Sequence, residues 1–147
     1  MAQGINIFLA DDDLDDCYVF QEVLNDLNST CDLTIANDGQ ELLRLLKDGR
    51  LHLPDLIFLD LNMPIVNGYE CLVEIRQKEL LKHIPVIILS TSSNEKEINK
   101  LYDGGADYYV CKPPSFSSLR SMLKKIISVE WHDHRSALSI DSFIMMS

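Results

Sequence analysis

The sequence predicts an α/β domain: a doubly wound five-stranded parallel sheet of order 2-1-3-4-5 with helices on both faces. Three observations carry this. Strand-length apolar runs alternate with helix-length amphipathic segments five times over 147 residues. The central runs "IFLA", "LIFLD" and "VIILS" lack polar alternation, as strands covered on both faces do. Each connection carries one helix, so right-handed crossovers make the strands parallel. Five such units suit an open sheet better than a closed barrel, which typically takes about 250 residues.

Residues 5–10 form the first strand and end on Asp11, Asp12 and Asp13. Residues 14–27 carry Leu14, Tyr18, Val23, Leu24 and Leu27 near helical spacing and stop at Asn28-Ser29. Leu33 and Ile35 alternate through a strand at 32–36, and "NDG" (37–39) punctuates it. "QELLRLLKDG" is an amphipathic helix for which Gly49 is the expected C-cap. The strand at 55–60 leads through the loop "LNMPIVNG" into a helix over 68–80, with Gly68 at a tight turn and Cys71, Leu72, Ile75 and Leu80 facing the core. "IPVIILS" is the fourth strand, and residues 94–103 are a polar helix anchored by Ile98 and Leu101. "GGAD" turns into the fifth strand, "YYVCKPP". The helix at 115–129 lines up Phe116, Leu119, Leu123, Ile126 and Ile127.

Twenty-three acidic against thirteen basic residues give a formal charge of −10, which argues against direct binding to nucleic acid or an anionic membrane. No run approaches the roughly 20 apolar residues of a membrane span. The start "MAQGINIFLADDD" has no basic segment before its apolar run, unlike a signal peptide. Cys17, Cys31, Cys71 and Cys111 lack metal-site spacing and sit in apolar segments. Reduced thiols and a cytoplasmic location follow as expectations. Asp13, Asp15 and Asp16 read as acids favoured at a helix N-terminus. The tail "EWHDHRSALSIDSFIMMS" is expected to be exposed and poorly ordered, or an arm to a partner, with His132-Asp133-His134 as a weak metal-binding pattern.

In a doubly wound sheet the ligand crevice lies at the carboxyl ends of the strands, where strand order reverses. Polar groups converge there: Asp11 and Asp12 from the first strand, Asp60 from the third, Ser90 and Thr91 from the fourth, Lys112 from the fifth. Caps and turns explain any one of them, but not the same ending on four strands. Three neighbouring carboxylates repel, so one holds a proton or a cation binds. Lys112 offsets one charge. Mg²⁺, a hard cation that takes one or two carboxylates and completes its shell with water and phosphate oxygens, offsets the remainder. Such a site suits phosphoryl transfer with an Asp as nucleophile, which needs no general base because a carboxylate is already ionised.

The fragments "IFLADDD", "DLIFLDLNMPIVNG", "PVIILSTSS" and "GADYYVCKPP", in this order, resemble a bacterial two-component response-regulator receiver domain, of flavodoxin-like fold, over residues 4–129. The resemblance implies that Asp60 is the phosphoacceptor and that Asp12, Asp60 and the backbone carbonyl of Asn62 hold Mg²⁺, with Asp11 reaching it through water. Ser90 would bond the phosphoryl group and Lys112 would pair with its oxygens. Thr91 is the neighbouring hydroxyl, turned away if the strand alternates. Tyr109 would be the switch aromatic that follows Ser90. Asn62 and Ser92 stand where the family modulates acyl-phosphate hydrolysis, and the Lys112–Pro113 bond is usually cis. Pro114 departs from the bulky residue many receivers carry.

The implied partner is a sensor histidine kinase or histidine phosphotransfer protein. A homodimer through the fourth helix, fifth strand and fifth helix is a further possibility the resemblance raises. "RQKELLKHIP" is similar to the stand-alone, phytochrome-associated regulators, with His83 a surface residue, and residues 130–147 form a tail with no output domain. Two alternatives stand beside this reading. A haloacid-dehalogenase-like phosphatase would need Asp-x-Asp on the first strand, and Asn62 cannot act as its general acid. A receiver-like binding module that is never phosphorylated would have no use for crowded carboxylates.

Overall fold

The computed structural model describes residues 4–27, 30–91, 94–128 and 144–145. In chain order the elements are β1 (Ile5–Ala10), α1 (Leu14–Asp26), β2 (Cys31–Ala36), α2 (Gly39–Lys47), β3 (Leu56–Asp60) and α3 (Gly68–Gln77). There follow β4 (Val86–Ser90), α4 (Glu95–Asp103), β5 (Tyr108–Cys111), α5 (Phe116–Ile127) and β6 (Ile144–Met145). The sheet is parallel, in the order β2-β1-β3-β4-β5-β6.

Side chains on a strand alternate faces, and both faces here are apolar. Phe8, Ala10, Ile57, Leu59 and Ile88 point into one core with α2, α3 and α4. Ile7, Leu9, Phe58, Ile87 and Leu89 point into the other with α1 and α5. The Phe20 ring meets Phe58 edge-on at 5.1 Å and fastens α1 to β3. The three central strands are therefore packed on both faces, and their carboxyl ends carry the polar residues. Among the described residues no helix is long and apolar enough to cross a membrane.

The structure corrects several expectations. The buried face of α1 is Cys17, Phe20, Val23 and Leu24, whereas Leu14 and Tyr18 are 71% and 66% exposed. α2 ends on Asp48 in extended conformation, so Gly49 caps nothing. α3 ends at Gln77, and the following turn buries Leu81 while Leu80 is exposed. Phe116 stands at the exposed start of α5. The peptide bond before Pro113 is trans, the isomer favoured by about 0.5–1 kcal/mol at X–Pro bonds. The tail contributes a strand, with Ile144 opposite Tyr109 and Met145 opposite Val110, because the outer edge of β5 offers unpaired backbone groups. His132-Asp133-His134 and the loop residues Ser92 and Ser93 lie outside the described residues.

Candidate functional site

Register brings the strand-end residues together. Ala10 pairs with Leu59, so Asp11 and Asp60 both leave the sheet at the same edge. Leu89 pairs with Asp60 and Cys111 with Ser90, which places Ser90 and Lys112 one step further along. Asp11, Asp12 and Asp60 each offer a carboxylate oxygen, all within 4.8 Å of one another. Asp11 and Asp60 are buried and Asp12 is exposed at the mouth. Lys112 Nζ donates into the cluster, to Asp11 at 3.3 Å and Asp60 at 3.4 Å.

Local capping fixes these positions. The Asp13 backbone N–H donates to Asp11 Oδ1 at 2.9 Å. The Asp13 carboxylate accepts from the backbone N–H groups of Asp15 and Asp16 at 2.9 and 3.1 Å, so it is the N-cap of α1 and stands outside the carboxylate cluster. Asn67 and Glu70 form a reciprocal capping box that starts α3 beside Asp60. The Asn62 N–H points at Asp60 Oδ1 from 3.4 Å.

Burial sets the electrostatics. Loss of solvent pushes the Asp11 carboxyl up to about 6, against the hydrogen bond from Asp13 and with help from the Asp60 charge. Asp60 is raised by the same loss of solvent, which outweighs the pull of Lys112. Burial alone would lower the Lys112 ammonium; its hydrogen bond to Asp16 and the Asp11 and Asp60 charges outweigh that and raise it. One ammonium thus leaves the carboxylates short of positive charge. Their oxygen-only donor set fits a hard divalent cation.

Ser90 is fully buried, while Thr91 beyond the strand end is exposed, in keeping with alternation. Tyr109 is already fully buried, within the core that includes Ile88, Ile98 and Leu101. Asn62 is exposed on the β3–α3 loop, and His83 is a surface residue. Sequence reasoning missed Asp16. Read as a solvated helix-start acid, it instead reaches across the mouth to Lys112 at 2.9 Å. A carboxylate on the first turn of a helix gives no sign of a partner 96 positions away.

The chain belongs to the response regulator receiver domain family, whose model matches residues 7–124. It is 35% identical to response regulator Rcp1 of Synechocystis over 83% of this chain and 86% of that one. Chemotaxis protein CheY-3 of Vibrio cholerae is 31% identical over 86% of this chain and 94% of its own. In structure the chain resembles the phosphorylated cyanobacterial phytochrome response regulator RcpA, with TM-score 0.78 and 36% identity over 84% and 91% of the two chains. The Mn²⁺-bound form of Rcp1 gives TM-score 0.75 and 34% identity over 92% and 97%. Receiver domains are signalling phosphoacceptors of two-component systems that interact with histidine kinases and phosphotransfer proteins, and the acidic pocket of Asp11, Asp12 and Asp60 fits that role.

Two expected outcomes arise here. A folded-state carboxyl raised above its unfolded value adds stability that is full below about pH 4 and lost as pH rises through about 6. Metal-free protein is therefore expected to lose stability from Asp11 across that interval. A divalent cation held by Asp11, Asp12 and Asp60 would take the place of the proton. The gap in melting temperature between protein with MgCl₂ and protein with EDTA should widen from pH 4 to pH 6 and then level off. A gap independent of pH would contradict this.

The second concerns Ile65, which sits in the β3–α3 loop at φ 70° and is 71% exposed. A β-branched side chain is strained there and gains no burial in return. Ile65→Asn is expected to stabilise the protein by about 1 kcal/mol in urea unfolding, since Asn tolerates the left-handed region.

Proposed function

We propose that this protein accepts a phosphoryl group on Asp60 from the phosphohistidine of a sensor kinase or phosphotransfer protein and uses the change to switch a partner-binding surface. The observation that supports this best is the meeting of three carboxylates and one ammonium at the ends of β1, β3 and β5. The N–P bond of the donor breaks as a bond forms from an Asp60 oxygen to phosphorus. The electron pair stays on the imidazole, and any proton it requires comes from solvent. Asp60 therefore needs no general base on the protein; it needs to be ionised, which Lys112 favours against the loss of solvent and a bound divalent cation would favour further.

Asp12, Asp60 and the Asn62 backbone carbonyl would hold Mg²⁺, with Asp11 acting through water. When bound, the ion neutralises the carboxylates and the charge on the transferred group. Lys112 pairs with the phosphoryl oxygens, and Ser90 donates its hydroxyl to one of them, with Thr91 the neighbouring candidate. Ser90 lies opposite Cys111 on the strand that carries Tyr109, so its shift is felt along β5. Two arrangements of this strand and α4 would form the switch, with Tyr109 as its aromatic residue. Lys100 over the Tyr69 ring at 4.0 Å ties α4 to α3 and would have to adjust.

Leu14, Tyr18, Val19 and Phe116 are exposed on α1 and α5, and Val19 and Phe116 line the cleft that Asp11 and Lys112 share; this apolar surface suits a donor that must seat its phosphohistidine over Asp60. The face of α4, β5 and α5 is the proposed surface for output or a homodimer. The net charge of −10 speaks against nucleic acid. We read residues 4–129 as the receiver and 130–147 as a tail, in a cytoplasmic protein whose chemistry is confined to its own phosphorylation and dephosphorylation.

Incubation with phosphoramidate or acetyl phosphate and MgCl₂, followed by intact-mass measurement, tests this. One phosphate adduct is expected on the wild type and none on Asp60→Asn. An adduct that survives the substitution overturns Asp60 as acceptor. No adduct on either supports a binding module, and steady turnover of phosphoesters supports a phosphatase.

A further inference from the structure

An ammonium has three N–H donors, and three carboxylates surround that of Lys112: Asp16 at 2.9 Å, Asp11 at 3.3 Å and Asp60 at 3.4 Å. Two of these acceptors are held in place. Asp11 and Asp60 side chains are 2% and 7% exposed, and each is approached by a backbone N–H, from Asp13 and Asn62. The Asp16 carboxylate is 45% exposed on the first turn of α1 and stands at the rim of a cleft of about 320 Å³ that Asp11, Lys112, Pro113 and Phe116 also line.

A phosphoryl group on Asp60 brings about −1.5 to −2 charges and three strong acceptor oxygens. The acyl phosphate uses up the Asp60 carboxylate, so the carboxylates left to compete with these oxygens for Lys112 are Asp11 and Asp16, and Asp16 is the nearer. Moving Asp11 would break a buried arrangement, whereas the half-exposed Asp16 can turn into water. We infer that Asp16 is a positioning residue that occupies, in the unphosphorylated protein, the Lys112 donor a phosphoryl oxygen requires, and so competes with the phosphoryl group. This rests on the reading of Asp60 as phosphoacceptor.

Removing the competitor favours the phosphorylated state. The test follows adduct formation and decay by intact mass, with phosphoramidate and saturating MgCl₂, in the wild type, Asp16→Asn, Asp16→Glu and Asp15→Asn. Asp15→Asn removes the same charge from the same helical turn, where the Asp15 backbone N–H bonds to Asp13. It therefore isolates the general effect of charge on an anionic donor. Asp16→Asn is expected to raise the ratio of formation rate to decay rate by about two- to fivefold, the range of a half-exposed ion pair. Asp15→Asn should change it by less than half of that, and Asp16→Glu should restore wild-type behaviour. A fall in the ratio for Asp16→Asn, or equal effects of Asp16→Asn and Asp15→Asn, would overturn the inference while leaving the phosphoacceptor reading intact. Absence of any adduct on the wild type overturns that reading and this inference together. Circular dichroism melts confirm that each variant is compared in its folded state.

Discussion

Asp107→Ala is expected to lower the free energy of unfolding by about 3–5 kcal/mol, because it strips a buried ion pair of one partner. The Asp107 side chain is 1% exposed and that of Arg76 15%. One Asp107 oxygen accepts from Arg76 Nη2 at 3.0 Å and from the Val86 backbone N–H at 2.8 Å. Arg76 also donates to the carbonyls of Gly105, Lys82 and Ile84, at 2.9, 3.2 and 2.8 Å. A single guanidinium thereby joins the end of α3, the connection into β4 and the turn into β5. Gly105 lies at φ +96°, and a Cβ there would stand 3.1 Å from Arg76 Nε, so the turn both needs a glycine and packs on the arginine. Urea unfolding followed by circular dichroism measures the loss. A change under 1 kcal/mol would show that water solvates Arg76 once the carboxylate is gone. Asp107→Asn keeps an acceptor for Val86 and should fall between the wild type and the alanine variant.

Much of the fold was legible because buried parallel strands need apolar runs on both faces. "LIFLD" and "VIILS" admit no amphipathic helix, and their order fixes which end carries the crevice. The site was legible for the same reason: Asp11, Asp60 and Lys112 are the places where those runs stop. What was not legible depends on contacts between distant positions. Arg76 and Asp107 are 31 residues apart and neither stands in an unusual setting. Asp16 looks like any acid at a helix start until β5 brings Lys112 to it. On α1 the reading held for Val23 and Leu24 but not for Leu14 and Tyr18, which, like Cys17 and Phe20, are spaced for a helix. Only packing against Phe58 decides between the two stripes. β6 was missed because a two-residue strand carries no periodic signal, and its pairing depends on a free edge elsewhere.

Gly68 was legible as a glycine the chain needs, but for the wrong reason. It opens α3 as a buried residue, and its importance lies in what it touches, not in a turn. A Cβ at this position would stand 2.6 Å from the carbonyl oxygen of Asp60 and 2.8 Å from the Cα of Leu61, both backbone atoms. Its own N–H donates to the Leu61 carbonyl at 2.9 Å, so the helix start is fastened to the end of β3. In an ordinary helix, Gly→Ala stabilises by about 0.5–1 kcal/mol. Here the sign should reverse. Gly68→Ala is expected to destabilise by about 1–3 kcal/mol, since backbone on both sides must move to admit the methyl group. The strand that moves carries Asp60, and displacement of a reacting group by about 1 Å is enough to cost up to a hundredfold in rate. Phosphoramidate labelling of folded Gly68→Ala protein should therefore slow by at least about tenfold, even where circular dichroism reports a native sheet. A variant that is destabilised but labels at the wild-type rate would place the strain in α3 and leave Asp60 where it is.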